Sequence, residues 1–129
     1  TDVTLTNTDW KVYLSRQSIG DFQIARAGWI GDYIDPKSFL DMMVTGRGNN
    51  QTGWSNEKYD DLLIKAANST SQEQRFYNFY EAEKILMDEM PIIPIYTYTR
   101  IYMLHEDVKG WGNNLLDSRP YQFVYLENN

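Results

Sequence analysis

The sequence has no cysteine, one histidine and no run of lysine or arginine. Each absence closes a class of function. Without cysteine there is neither a disulfide framework nor thiol chemistry, and nothing follows about redox compartment. The single histidine, His105, leaves no cluster to hold a metal and no set of partners for a hydrolytic triad. A nucleic-acid partner wants a basic stripe, and a net charge of −6 over 129 residues argues against one. The apolar runs are too short to cross a bilayer. No initiator Met, basic n-region or h-region opens the chain. Instead "TDVTLTNTDW" reads as an exposed strand already in progress, as expected of a mature or truncated chain.

What is present argues for a folded chain. Hydrophobic residues make up 42% and aromatics 15%, with ten Tyr and four Trp. Residues 1–129 fit a single domain with a respectable core. Aromatics mostly fill cores, but they also line sites that grip a ligand with one polar end.

Periodicity places the elements. Val3 and Leu5 alternate with polar residues as in a half-buried strand. Asp9 is suited to cap a helix with Trp10, Tyr13, Leu14 and Gln17 on one face, ended by Gly20. "DFQIARAGW" reads as a strand, with Phe22, Ile24 and Arg26 on one side and Ala25, Ala27 and Trp29 on the other. Asp35-Pro36 is a helix start, and that helix carries Phe39, Leu40 and Met43 inward as far as Gly46. "GRGNNQTG" is a loop without a phosphate-binding fingerprint. From Ser55 an amphipathic helix buries Tyr59, Leu62, Leu63 and Ala66 and ends near Asn68. Ser71 and Gln74 form a capping box for the next helix, whose expected buried stripe is Phe76, Phe79, Tyr80, Leu86, Met87 and Met90 before Pro91 stops it. "PIIPIYTYTRIYML" is the most strand-like stretch, with Pro94 confining its start to an edge or bulge. "YQFVYLE" is a last short strand. The order implies an α/β lobe with helices packed on a mixed sheet.

Candidate chemistry centres on "IARAGWIGDYIDP". Asp35 has a sufficient task as a helix cap, whereas Asp32 sits on neither a cap nor an amphipathic face; a solvated turn and a ligand contact both fit it. Arg26, on a face shared with apolar residues, must be paired or must meet an anion, and an ion pair to Asp32 is one way. Trp29 and Trp10 suit a core as well as a site. Gly28 in a strand marks a bulge or a close approach by another backbone. A glycine for close approach, flanked by an arginine and an aspartate, suits an extended zwitterion. His105, beside Glu106 and Asp107, and the helix lysines Lys58, Lys65 and Lys84 are assigned no role. A hydrolase using Asp32 with Glu57 or Asp60 lacks a nucleophile, a metal cluster and a second convergent carboxylate. A purely structural module would require Asp32 buried against Arg26.

The stretches "DWKVYL", "GDFQIARAGWIGDYIDPKSFLD", "GWSNEKYDDLL", "EAEKILMDEMPIIPIYTYTR" and "VKGW", in that order, closely resemble the C-terminal portion of the oligopeptide-binding proteins, extracytoplasmic substrate-binding receptors of peptide ABC transporters. The resemblance covers essentially the whole chain. It implies part of the second lobe of a two-lobed, type II periplasmic-binding-protein-like fold, with a first lobe and a signal peptide lying outside this sequence. It also implies a binding protein rather than an enzyme, located in the periplasm or at the cell surface, with no cofactor and no metal. Its partners would be short peptides, the first lobe and a membrane permease.

Position by position, Asp32 matches the family aspartate that pairs with the peptide ammonium, and Arg26 an arginine that meets the carboxylate of certain ligands. Gly28, Trp29 and Ile30 match the strand that hydrogen-bonds an extended peptide. Trp10 and Tyr98 match aromatics that line side-chain pockets. Arg16 lies near another family arginine, but its spacing to Arg26 is one residue longer here, which weakens that transfer. The alternative within binding proteins is a related receptor for dipeptides, murein peptides, a metal chelate or a sugar; four Trp and ten Tyr suit a sugar, but the placement of Arg26 and Asp32 favours a zwitterion.

Overall fold

The computed structural model describes residues 2–114, 116 and 118–127. Helix α1 spans Trp10–Ser18, α2 Lys37–Leu40, α3 Glu57–Asn68 and α4 Gln72–Glu89. A 3-10 turn, Asp41–Met43, continues α2, and another covers Tyr121–Phe123. Strands β1 (Val108–Lys109) and β2 (Tyr125–Leu126) pair antiparallel, Val108 opposite Leu126 and Lys109 opposite Tyr125. No helix among the described residues is long and apolar enough to cross a membrane.

The core lies where α3 and α4 pack as an antiparallel pair beneath α2. In α3 the side chain of Asn56 accepts the Tyr59 N–H, satisfying one of the free donors of the first turn. The expected positions Tyr59, Leu62, Leu63 and Ala66 are all buried. They meet Phe79, Ala82 and Leu86 of α4, with Leu40 and Met43 closing the top. Tyr59 is fully enclosed, and its hydroxyl donates to the Leu40 carbonyl at 2.7 Å, so the polar end of a buried ring has its partner. Burial pushes the Tyr59 phenol well above its ordinary pKa. Ser71 caps α4, accepting from Gln74 N–H at 3.4 Å. The helix ends on Met90, whose left-handed backbone (φ 51°, ψ 45°) precedes Pro91, which cannot continue it.

Helix α2 is tied to this core electrostatically. Asp35 accepts the Lys37 N–H at 2.9 Å and pairs with both terminal nitrogens of Arg75 on α4, at 2.7 and 2.9 Å. The Arg75 guanidinium holds the Asp35 carboxyl below its ordinary value of 3.8, and it also lies over the Phe79 ring at 4.7 Å. The α4 stripe is narrower than expected. Phe76 and Tyr80 are 45% and 58% exposed and Met90 is exposed too, because the face of α4 turned to α3 is set by Asn78, Phe79, Ala82 and Leu86. Phe76 and Tyr80 fall beside that stripe and line a shallow apolar groove with Phe39. The helix after Pro36 is likewise shorter than expected, giving way to the 3-10 turn at Asp41.

The stretches around Val3, over residues 21–29 and over residues 91–104, expected as strands, carry no ladder, and the chain bends at residues 23–24 and 91–92. Among the described residues, neither 23–31 nor 92–104 exchanges a main-chain hydrogen bond with another main chain. A strand is a pairing rather than a local conformation, so propensity without a neighbour leaves only extended chain. The final strand is also short, since Tyr121–Phe123 forms a 3-10 turn before β2. At β1 the chain turns on Gly110 (φ +75°), where a Cβ would stand 1.8 Å from the Phe123 carbonyl oxygen.

Candidate functional site

The extended segments collect the aromatic and charged residues that sequence reasoning singled out, in two adjoining groups. The first is built around Arg26. Its Nη2 donates to the Tyr98 hydroxyl, and its own carbonyl accepts from the Tyr13 hydroxyl. Tyr13 in turn stacks on Trp10, ring centroids 5.2 Å apart and planes 19° from parallel. Tyr98 packs edge-on against Tyr96 at 4.8 Å. Gly28 runs close beneath: a Cβ there would sit 3.7 Å from Tyr98 Cε2. Trp10, Arg26, Gly28 and Tyr98 therefore converge although they are dispersed over 89 positions of sequence, counting both ends. The Tyr96 hydroxyl first, and the Tyr98 oxygen after it, hold the Arg26 guanidinium even more firmly protonated than usual. The two phenols move apart. Tyr98 and then Arg26 lower Tyr96, while Tyr96 raises Tyr98. A permanent cation is thus held on an open surface among hydroxyls that orient it without neutralising it.

The second group is built around the turn from Trp29 to Asp35. The indole Nε1 of Trp29 donates to the Ser38 carbonyl at 2.8 Å, and the Asp32 N–H donates to Ser38 Oγ at 2.7 Å. Trp29 is half-buried, whereas Ile30 and Asp32 face solvent. No ion pair joins Asp32 to Arg26 or to any other cation among the described residues. That removes the structural pairing of Asp32 with Arg26 as an account of either residue. A Cβ on Gly31 would lie 2.9 Å from Phe39 Cε2 and 3.3 Å from Ser38 Oγ, so a side chain there would push the exposed Phe39 ring aside.

Other expectations fare differently. Arg26, expected on an inward face with Ile24, is exposed, as is Ile24, because no second layer covers that side of residues 21–29 among the described residues. Arg16 joins neither group; it pairs with Asp21 at 2.8 Å near the end of α1. Asp60 accepts the Thr45 N–H at 3.1 Å, and Glu57 belongs to the first turn of α3, so neither converges with Asp32. No three His, Cys, Asp or Glu side chains gather into a metal-holding group among the described residues.

Three residues at the site were not singled out from the sequence. Tyr96 was detectable, since the alternation in "YTYT" places it on the same side of an extended chain as Tyr98. Tyr13 lies three residues after Trp10 on the helix face, the spacing of a stacked pair. Ser38 carries no sequence signal.

No family model matches the chain. Among curated proteins it is 41% identical over 109 residues to the dipeptide-binding protein DppE of Bacillus subtilis, a match covering 84% of this chain and 20% of that protein. Among solved structures it superposes on the Escherichia coli murein tripeptide binding protein MppA with a TM-score of 0.87 and 34% identity, covering 99% of this chain and 25% of that one. Haemophilus influenzae OppA, solved in complex with RPPGFSPFR, gives a TM-score of 0.85 and 29% identity over 97% of this chain and 25% of its own. The chain spans about a fifth to a quarter of the length of these relatives. The two structural matches cover 99% and 97% of the chain, so they take in the extended segments as well as the helices.

Proposed function

We propose, on the premise that the chain belongs to the oligopeptide-binding protein family, that it supplies one wall of a cleft holding short peptides in extended form. The whole protein would be the substrate-binding component of a peptide ABC importer. Residues 1–129 would form a single piece of its second, C-terminal lobe, working outside the cytoplasm with the other lobe and a membrane permease. The observation that carries this reading is the run from residue 23 to residue 31. Among the described residues its main chain bonds to no other main chain, the Arg26 carbonyl alone accepting from the Tyr13 hydroxyl, and it carries an oriented guanidinium at Arg26 and leads into an exposed carboxylate at Asp32.

A receptor for many peptides must grip what all peptides share, which is the main chain and the charged ends. Strand addition along Gly28, Trp29 and Ile30 gives main-chain hydrogen bonds indifferent to side chains. Asp32 takes the ammonium end. Arg26 takes a carboxylate through its flat, permanently charged fork. Trp10 and Tyr98, with Tyr13 and Tyr96 behind them, line space for side chains, where ordered water adjusts to each one. The six residue steps from Arg26 to Asp32 reach at most about 20 Å along the chain, which suits an extended ligand of roughly six residues or fewer. This wall offers a cation and an anion together, which favours a zwitterion over a sugar.

Titration calorimetry of the full-length protein tests the reading. Di- to hexapeptides are expected to bind at micromolar or better affinity and oligosaccharides not at all. The 129-residue chain alone is expected to bind the same peptides at least about a hundredfold more weakly, since much of the enclosing surface is absent. Tight sugar binding, or equal peptide affinity for chain and full-length protein, would overturn it.

A further inference from the structure

Helix α2 adjoins the proposed site through Ser38. Ser38, in its first turn, is 4% exposed. Its backbone N–H donates to the Asp35 carbonyl at 3.0 Å, which fixes the residue in the turn. From there it makes two contacts to the wall with different atoms: its side-chain oxygen accepts the Asp32 N–H, and its main-chain carbonyl accepts the Trp29 indole N–H. The same side-chain oxygen bounds the space in which Gly31 lies. Behind Ser38, Asp35 is bolted to Arg75 on α4 by a two-pronged ion pair. One small buried hydroxyl thus connects the solvent-facing turn to the rigid helical core.

We propose that Ser38 is the positioning residue of the peptide-binding wall, setting where the Asp32 carboxylate stands and how the Trp29 ring is turned. The inference rests on the peptide-binding reading for its consequence but on hydrogen-bond geometry for its mechanism. An exposed aspartate on a solvent-facing turn is a poor anchor, because every rotation of its main chain carries the charge elsewhere. Binding a ligand's ammonium then requires that motion to be frozen at the moment of binding. A main-chain hydrogen bond to a group that is itself buried freezes it beforehand. A hydroxyl at position 38 does this while leaving room for Gly31. Alanine keeps the Trp29 contact, which uses the main chain, and removes only the tie to Asp32.

That separation defines the experiment. In Ser38→Ala, amide exchange of Asp32 should accelerate at least about tenfold, the worth of one lost hydrogen bond in a part-buried setting, while the Trp29 indole proton stays protected. In the full-length protein, affinity for peptides with a free amino end should fall about tenfold, and for the same peptides acetylated at that end by much less. Ser38→Thr, which keeps the hydroxyl, should restore both. A uniform loss across free and acetylated peptides, or an unchanged Asp32 exchange rate, would overturn the proposal. If Ser38→Ala does not fold, Ser38→Cys, with its weak acceptor, replaces it and should fall between alanine and serine in both readouts. Failure of the unaltered protein to bind any peptide would sink the peptide reading alone, and Asp32 exchange would still decide the positioning.

Discussion

Leu63 and Ile101 are apolar residues of equal size, yet Leu63 is 3% exposed and Ile101 92%. The contrast extends to the regions around them. Helices α2, α3 and α4 enclose a complete core, with a capped start to α3 and to α4, a satisfied buried tyrosine and an ion pair locking α2 in place. The extended segments on either side hold their isoleucines and tyrosines in the open and leave their main-chain groups without main-chain partners among the described residues. One region is closed upon itself. The other has the composition of a sheet and the exposure of an interface. A stable floor with an unspent wall is what a binding lobe requires, because the wall's hydrogen bonds and apolar area must remain available to what it meets.

The sharpest way to break this comparison is to delete matched side chains from the two regions. Leu63→Ala should lower the unfolding free energy by about 3 kcal/mol, measured by urea denaturation, whereas Ile101→Ala should change it by less than about 0.5 kcal/mol. Similar losses at both sites would mean that the wall is packed after all. A smaller effect sharpens the account of the floor. Tyr59→Phe leaves the Leu40 carbonyl without its donor and should cost about 1 kcal/mol.

The Asp35–Arg75 pair should act through pH. Because Arg75 holds the Asp35 carboxyl below 3.8, its contribution is fully present above the unfolded-state value. It is lost as pH falls through 3.8 toward the lowered folded-state value. Asp35→Asn should flatten that acid limb of a thermal-melt series and cost about 1 kcal/mol at neutral pH. The smallest expected effect is at Arg16, engaged with Asp21 outside both groups. Arg16→Ala should leave peptide affinity within about twofold, and a larger loss would return that arginine to the site.

The helical region was readable because its signals are local. The buried positions of α3, the Ser71 cap and the Asp35-Pro36 start all follow from spacing within a few residues. The wall was readable only in part. Residues 21–29 and 91–104 carry true strand propensity, but pairing depends on neighbours that local pattern does not contain, so the ladders expected there are absent. Arg26 and Tyr98 were brought into one site by resemblance, and the hydroxyl that joins them is a tertiary fact. Ser38 was invisible for a simpler reason. Its place in the site lies in what its side-chain oxygen and its carbonyl meet, six and nine residues earlier respectively, across a turn whose shape no short-range rule specifies.

The most direct test is the Asp32→Ala variant in the full-length protein, titrated in parallel with one peptide bearing a free amino end and the same peptide acetylated there. Losing the carboxylate should weaken the free peptide by about a hundredfold, near 3 kcal/mol, and the acetylated one by less than about threefold. Equal weakening of both, or none, would show that no ammonium meets Asp32 and that the wall serves another ligand.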